Sequence, residues 1–237
     1  MIIAIDGTSG SGKSTLAKNL AKALNFGFFS AGALYRTITF KALNLHIEED
    51  EDDKLQYLIE HTDIVYTYDG EHSVMQLDGI DVFDELHNEE ISANVAKYAK
   101  KPYIREFVRK LQQDTKLHNE NIVMEGRDIG SVIFPDADFK IYVDCSVESR
   151  AKRRFAELEA KGDKTTTYEK VLQDLKDRDY MDIHREISPL VMCENAYLID
   201  STLNNIDECL NLALKEMVHR GLITRNFLKE REIELSY

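Results

Sequence analysis

Cysteine is scarce in this chain: Cys145, Cys193 and Cys209 are the only three among 237 residues. They form no close-spaced metal-ligand pattern and no even set of disulfide partners, so they read as reduced thiols in a cytoplasmic protein. Long apolar runs are missing. No stretch approaches the ~20 residues that cross a bilayer, which argues against a membrane partner. The first apolar run starts at residue 2, leaving no room for a secretory or transit leader. Basic excess is missing as well, with 30 Lys+Arg against 43 Asp+Glu and a net charge of −13. A long nucleic-acid surface needs basic stripes, so this balance argues against one. Small anionic ligands stay open, because a local group of arginines outweighs a global sum. The acidic run from Glu48 to Asp53 reads as a solvated loop or helix start, not as a cation site.

What remains is a soluble globular composition, 43% hydrophobic and 31% charged. The length suits one large domain or a core with inserted subdomains. Internal repeats, low-complexity tracts and Pro/Gly-rich linkers are not found. Apolar, β-prone runs at Met1 to Ile5, Phe26 to Phe29, Asn121 to Met124, Phe139 to Val143 and Tyr197 to Ile199 predict five buried strands. They alternate with helical stretches, which predicts an α/β fold with a parallel sheet flanked by helices.

Between the second and third of these strands the texture changes. Asp63 to Tyr68, Ser73 to Leu77 and Ile80 to Val82 alternate like antiparallel strands, with Asp69-Gly70 and Asp78-Gly79 as turn signals. Helical pattern resumes from Asn88 to Lys116, interrupted at Pro102. A second helical excursion, Val147 to Tyr180, is dense in charge and broken at Gly162-Asp163. Its Arg150, Lys152, Arg153 and Arg154 read either as a mobile lid or as a solvated helix face. The expected organisation is one domain over residues 1–237. Its core would take in about 1–44, 119–146 and 186–220, its insert about 45–118, and its lid region about 147–185. The tail from Gly221 to Tyr237 has helical pattern and mixed charge.

The motif that carries chemistry is Gly7-Thr8-Ser9-Gly10-Ser11-Gly12-Lys13-Ser14-Thr15, which fits G-x-x-x-x-G-K-[ST]. It joins a strand end to a helix start, where Leu16, Ala17, Leu20, Ala21 and Leu24 repeat at helical spacing. Unpaired N–H groups and the positive end of the helix dipole hold an anion at such a place. Glycines let the backbone wrap phosphates, Lys13 reaches the terminal ones, and the Ser14 hydroxyl is placed to ligate Mg²⁺. The loop alone says nucleotide, not reaction. Arginines at element ends say more, because transfer to an acceptor phosphate sets two polyanions against each other. Guanidinium groups bind phosphate bidentately and keep their charge. Arg36 follows the second strand, Arg127 the third, and Arg178 and Arg185 precede the last. In open parallel sheets ligands bind beyond the carboxyl ends of strands.

The segment Glu125-Gly126-Arg127-Asp128-Ile129-Gly130-Ser131-Val132-Ile133-Phe134-Pro135-Asp136-Ala137 resembles the E-G-R-D-x-G-T-V-V-F-P-x-A signature of bacterial cytidylate kinases. Gly32-Ala33-Leu34-Tyr35-Arg36 is similar to that family's G-A-x-Y-R. Arg178-Asp179, Asp182, Arg185, Ser188-Pro189-Leu190, Asn195-Ala196 and Asp200-Ser201-Thr202 resemble its R-D-x-x-D-x-x-R-x-x-S-P-L…A…D-S-T block. The resemblance spans about residues 2–215. It implies a P-loop kinase fold with a five-stranded parallel sheet, an inserted monophosphate-binding subdomain with a small antiparallel sheet, and a helical lid. It also implies ATP with Mg²⁺ as donor, CMP or dCMP as acceptor, and a monomer. Arg36, Arg127 and Arg185 would hold the acceptor phosphate. Arg178 and Asp182 would fix the ribose, and Asp128 and Arg105 would read the base edge. Arg153 and Arg154 would close on the donor phosphates. For Asp128, an ion pair orienting Arg127 is the structural alternative. Two departures stand out: Ala31 and Ala96 occupy positions where the family carries hydroxyls, with Ser30 and Ser92 as candidates to compensate. A kinase of UMP, AMP or a small metabolite, and a nucleotide-dependent switch, are the competing readings.

Overall fold

The computed structural model describes residues 1–117 and 119–235. The first apolar run becomes strand β1 (Ile2–Gly7), every residue of which is buried. Burial on both faces puts it at the centre of a five-stranded parallel sheet. That sheet also holds β2 (Gly27–Ser30), β6 (Ile122–Gly126), β7 (Phe139–Asp144) and β8 (Tyr197–Asp200), in the order β2-β6-β1-β7-β8. Ile3 pairs with Val123 on one side and Phe139 on the other. The five runs expected as strands all enter this sheet.

Side-chain alternation divides the core into two layers. Ile3 and Ile5 pack with Leu16, Leu20 and Leu24 of α1 (Lys13–Leu24) and with Ala213, Leu214 and Met217 of α8 (Ile206–His219). Ala4 and Met124 face the other way. They meet Leu34 and Ile38 of α2 (Ala31–Asn44) and Ile104 and Val108 of α5 (Pro102–Leu117). Each fully buried aliphatic side chain contributes about 1.5–3 kcal/mol, so the two layers hold the sheet rigid under the loops at its carboxyl edge.

The chain between β2 and β6 carries the antiparallel sheet read from the alternation: β3 (Ile64–Tyr68), β4 (Ser73–Leu77) and β5 (Ile80–Asp81). Asp78 and Gly79 both have positive φ, the two-residue turn that an Asp-Gly pair favours. Tyr66 and Tyr68 lean edge-on against Phe29 and Phe28, which docks this small sheet on β2. The acidic run starts α3 (Asp52–Glu60), and Asp52 accepts from Lys101 Nζ and Tyr103 Oη at 2.7 and 2.8 Å. Pro102 opens α5 after α4 (Glu89–Ala99) ends, a position where its missing N–H costs nothing.

Helices α6 (Val147–Ala160) and α7 (Tyr168–His184) pack on each other through Ala151, Leu158 and Val171. α7 runs one turn past the expected end at Tyr180, since the next helix breaker is Pro189. The tail departs from its helical pattern. Among the described tail residues only α9 (Arg225–Lys229) is α-helical, and Glu232 turns the chain at positive φ. Ile223 and Leu228 are buried against the α1–α8 layer, with Ile233 and Leu235 beside them. His118, Ser236 and Tyr237, at the ends of the expected insert and tail, lie outside the described residues. Among the described residues no helix is long and apolar enough to cross a membrane.

Candidate active site

The loop Gly7 to Thr15 sits at the carboxyl edge of β1. A side chain on Gly7 would place Cβ 2.2 Å from the Val143 carbonyl oxygen, so only glycine lets β1 leave the sheet here. Gly10 and Gly12 have positive φ, which turns the backbone around a central space. Gly12 caps α1 with no side-chain acceptor, and no acidic residue stands in the first turn. The first N–H groups of the helix are thereby left for a ligand.

Lys13 is only 6% exposed, and its Nζ donates to the Thr8 carbonyl at 3.1 Å. Burial, reinforced by the Arg127 charge, pulls its pKa down to about 7 despite Glu125 nearby. The Thr8 hydroxyl is buried without a hydrogen bond. Behind the loop, Ser11 O accepts from Ser201 Oγ at 2.7 Å and Ser9 O from Arg150 Nη1 at 2.9 Å. Ser14 and Thr15 are exposed on the first turn.

A cleft opens beside the loop. Arg36 enters it from α2, Arg105 from α5, Arg127 and Asp128 from the turn after β6, and Arg178, Asp182 and Arg185 from α7 and its end. All seven residues expected to bind an acceptor therefore line one cavity, with Ala31 and Ala96 in its wall. Five guanidinium groups face two carboxylates. Arg127 Nε reaches Asp182 Oδ2 at 2.8 Å, and Arg185 Nη1 lies 3.4 Å from Asp182 Oδ1. Asp128 pairs with Arg105, not with Arg127, so the structural alternative for Asp128 is corrected: Asp182 is what orients Arg127. Arg36 donates to Ser92 Oγ at 3.0 Å and to the Leu86 carbonyl at 3.2 Å. Ser30 is bonded to Glu125. Of the two serines expected as candidates to compensate for the missing hydroxyls, Ser92 thus holds a cleft arginine and Ser30 a carboxylate behind the cleft.

The excess of cations shows in the acid–base balance. Burial and the Arg127 charge lower Arg178 to about 10, and burial lowers Arg36 and Arg185 as well. Burial works against the Arg127 charge too, but Asp182 outweighs it and the pKa rises. Burial would raise Asp182, yet Arg127 beside it holds the carboxyl low. The Arg178 side chain has no hydrogen bond or ion pair among the described residues. Crowded, desolvated cations of this kind are relieved by an entering polyanion.

A family model described as cytidylate kinase matches residues 3–219. The chain belongs to the cytidylate kinase family. The cytidylate kinase of Caldanaerobacter subterraneus subsp. tengcongensis is 44% identical over 200 residues, covering 84% of this chain and 87% of that protein. That of Thermosipho africanus is 41% identical over 218 residues, covering 92% and 95%. That of Caldicellulosiruptor saccharolyticus is 39% identical over 213 residues, covering 90% and 93%.

In this member of the family the α6 arginines part ways. Arg154 reaches across to Glu89 at the start of α4 and also to Glu157. Arg153 donates to the Ser201 carbonyl, beside the rear of the phosphate loop and apart from the cleft cluster. Arg150 is not on a solvated face at all: it is 4% exposed, bonded to the loop and to Asp179. Asp6 is a further residue the motifs did not single out. Its carboxylate accepts from the N–H groups of Ile129 and Gly130 at 2.8 and 2.7 Å, clamping the turn that bears Arg127 and Asp128 to β1. The one signal for it in the sequence is a carboxylate closing an otherwise apolar strand.

Proposed function

We propose that this protein transfers the γ-phosphoryl group of ATP to the 5′-phosphate of CMP or dCMP, giving the diphosphate. The observation that carries this reading is the meeting of two anion sites: the phosphate loop with Lys13, and the five-arginine cleft that opens beside it. Membership of the cytidylate kinase family supports the choice of acceptor.

ATP lies in the loop, its phosphates held by backbone N–H groups and by Lys13, which regains its full charge there. Arg36, Arg127 and Arg185 hold the acceptor phosphate. Arg178 and Asp182 fix the acceptor sugar, and the Asp128–Arg105 pair faces the base. An acceptor phosphate is already anionic near neutral pH, so no strong base is needed. Alignment and charge neutralisation carry the rate. The insert covers the acceptor and the α6–α7 pair the donor, Arg153 and Arg154 turning to the phosphates on closure, which excludes water.

The donor set fits Mg²⁺ travelling with ATP. Ser14 offers an exposed hydroxyl at the foot of α1, and no group of three His, Cys, Asp or Glu side chains gathers among the described residues. Mg²⁺ keeps most of its water and takes phosphate oxygens, so one protein hydroxyl suffices. Bound there, it supplies charge neutralisation on the phosphates. The family resemblance supports a monomer. The net charge of −13 and the free thiols support a cytoplasmic enzyme of free nucleotides, with neither nucleic acid nor membrane as partner.

A coupled assay with ATP-Mg²⁺ and CMP, dCMP, UMP or AMP tests the reading. CMP and dCMP should be the fastest acceptors, and Lys13→Ala should lower turnover by about 10²-fold or more while thermal melting is retained. A folded Lys13→Ala protein working near the wild-type rate would defeat it.

A further inference from the structure

One stripe of α4 holds two arginines that come from different parts of the chain. Ala96 and Ala99 line the cleft, and Ser92 and Glu89 continue their row at helical spacing. Ser92 takes Arg36 of α2, whose Nη1 donates to its Oγ at 3.0 Å. Glu89 takes Arg154 of α6, whose Nη2 pairs with its Oε1. Arg36 feels the charges of both Arg154 and Glu89, so the ion pair stands at the edge of the acceptor site. It also ties α6 to the excursion between β2 and β6. The second partner of Arg154, Glu157, lies 3.2 Å from its Nη1 on α6 itself and travels with it. Glu157 therefore cannot restrain α6 against α4, whereas Glu89 does. Glu90, in the same first turn of α4, has no side-chain bond among the described residues.

Two uses compete for Arg154. Closure needs its guanidinium on the donor phosphates, and here a carboxylate has it. An acceptor phosphate on Arg36 brings negative charge beside the pair, which repels Glu89 and attracts Arg154. We propose that Glu89 is a positioning residue: it holds Arg154 off the donor phosphates until an acceptor phosphate on Arg36 draws the two apart. Donor and acceptor binding are thereby coupled through one exposed ion pair, a contact that shifts an equilibrium by up to about fivefold. The inference deepens the proposed phosphoryl transfer and rests on it.

Calorimetry of a non-hydrolysable ATP analogue with Mg²⁺, without and with saturating CMP, tests this. The proteins are wild type, Glu89→Gln, Glu90→Gln, Arg154→Gln and the Glu89→Gln/Arg154→Gln double variant. The Glu89 side chain is 62% exposed, so its replacement should leave the fold intact, and melting temperatures check this. Without CMP, Glu89→Gln should bind the analogue about 1.5- to 5-fold more tightly than wild type, because Arg154 is already released. Added CMP should then help Glu89→Gln less than it helps wild type, by the same factor. Glu90→Gln removes an equal charge from the same helix turn and should bind like wild type. In the Arg154→Gln background the gain from Glu89→Gln should vanish. A gain below about 1.5-fold overturns the proposal, and so does a gain that survives in Arg154→Gln or appears equally in Glu90→Gln. A wild type that fails to phosphorylate CMP would sink the functional reading instead, and the comparison without CMP would still decide the ion pair.

Discussion

Donor binding should draw a proton from solution, and Lys13 sets how much. Buried and facing Arg127, the free enzyme's Lys13 titrates at about 7 instead of the ordinary 10.5. Triphosphate in the loop restores the charged form, returning the pKa to 10.5 or above. Between these two values the complex holds one proton more than the free enzyme. At pH 8 the free enzyme keeps Lys13 only about one-tenth charged, so binding takes up about 0.9 proton; at pH 6 the figure is about 0.1. Affinity must therefore weaken as pH rises through this window, log Kd approaching a slope of about one per pH unit. Titration calorimetry of a non-hydrolysable ATP analogue with Mg²⁺, in two buffers of different ionisation enthalpy, reads the uptake directly. Lys13→Arg supplies the control, because a guanidinium does not release its proton near neutrality. Equal heats in both buffers at pH 8 would refute the reasoning, and so would a buffer dependence that survives in Lys13→Arg.

Three further outcomes follow from the packing. Asp6→Asn presents an amide to one of the two backbone N–H groups it now accepts from, costing about 1–3 kcal/mol and lowering kcat as the Arg127 turn loosens. Burial lifts the Asp6 pKa to about 6 from 3.8, so the folded state binds the proton more tightly. That stabilisation is complete below the unfolded pKa and lost as pH rises through the folded one. The variant's melting deficit should therefore widen as pH falls from about 7 to about 5. Leu228→Ala removes a side chain that is 2% exposed in the tail's contact with α1 and α8, and denaturant melts should register a loss of about 2–4 kcal/mol. Gly7→Ala drives Cβ into the Val143 carbonyl, so calorimetry should find ATP binding weakened by about tenfold or more if the protein still folds.

How much of this was legible in the residues depends on range. Period-2 and period-3.6 patterns report local geometry, so the five core strands, the Asp78-Gly79 turn and the start of α5 at Pro102 could be read directly. The glycines and Lys13 could be read because a phosphate loop is contiguous in the chain. The cleft arginines were legible through element ends and family likeness. Contacts between distant segments were not. Asp6 meets Gly130 across 124 positions and Arg150 meets Ser9 across 141, and no local period encodes either. Arg150 sits in a charged helix whose pattern looks solvated, and only the packing of α6 against the loop buries it. In the tail, apolar residues at helical spacing mislead, because Ile223, Leu228, Ile233 and Leu235 are spent on α1 and α8 in a turned segment, not on one face of a helix.

Strands β2 and β6 are neighbours, with Gly27 opposite Ile122 and Ser30 opposite Glu125. The whole excursion from α2 to α5 thus leaves and rejoins the sheet at adjacent rails, and no other strand is threaded by it. A segment anchored in this way can change length without breaking a backbone pairing of β1, β6, β7 and β8, provided that the side chains it shares with the core around Ala4 and Met124, such as Leu55 and Met75, are kept. Acceptor choice could drift by changing that segment while the donor machinery on β1 stays unchanged.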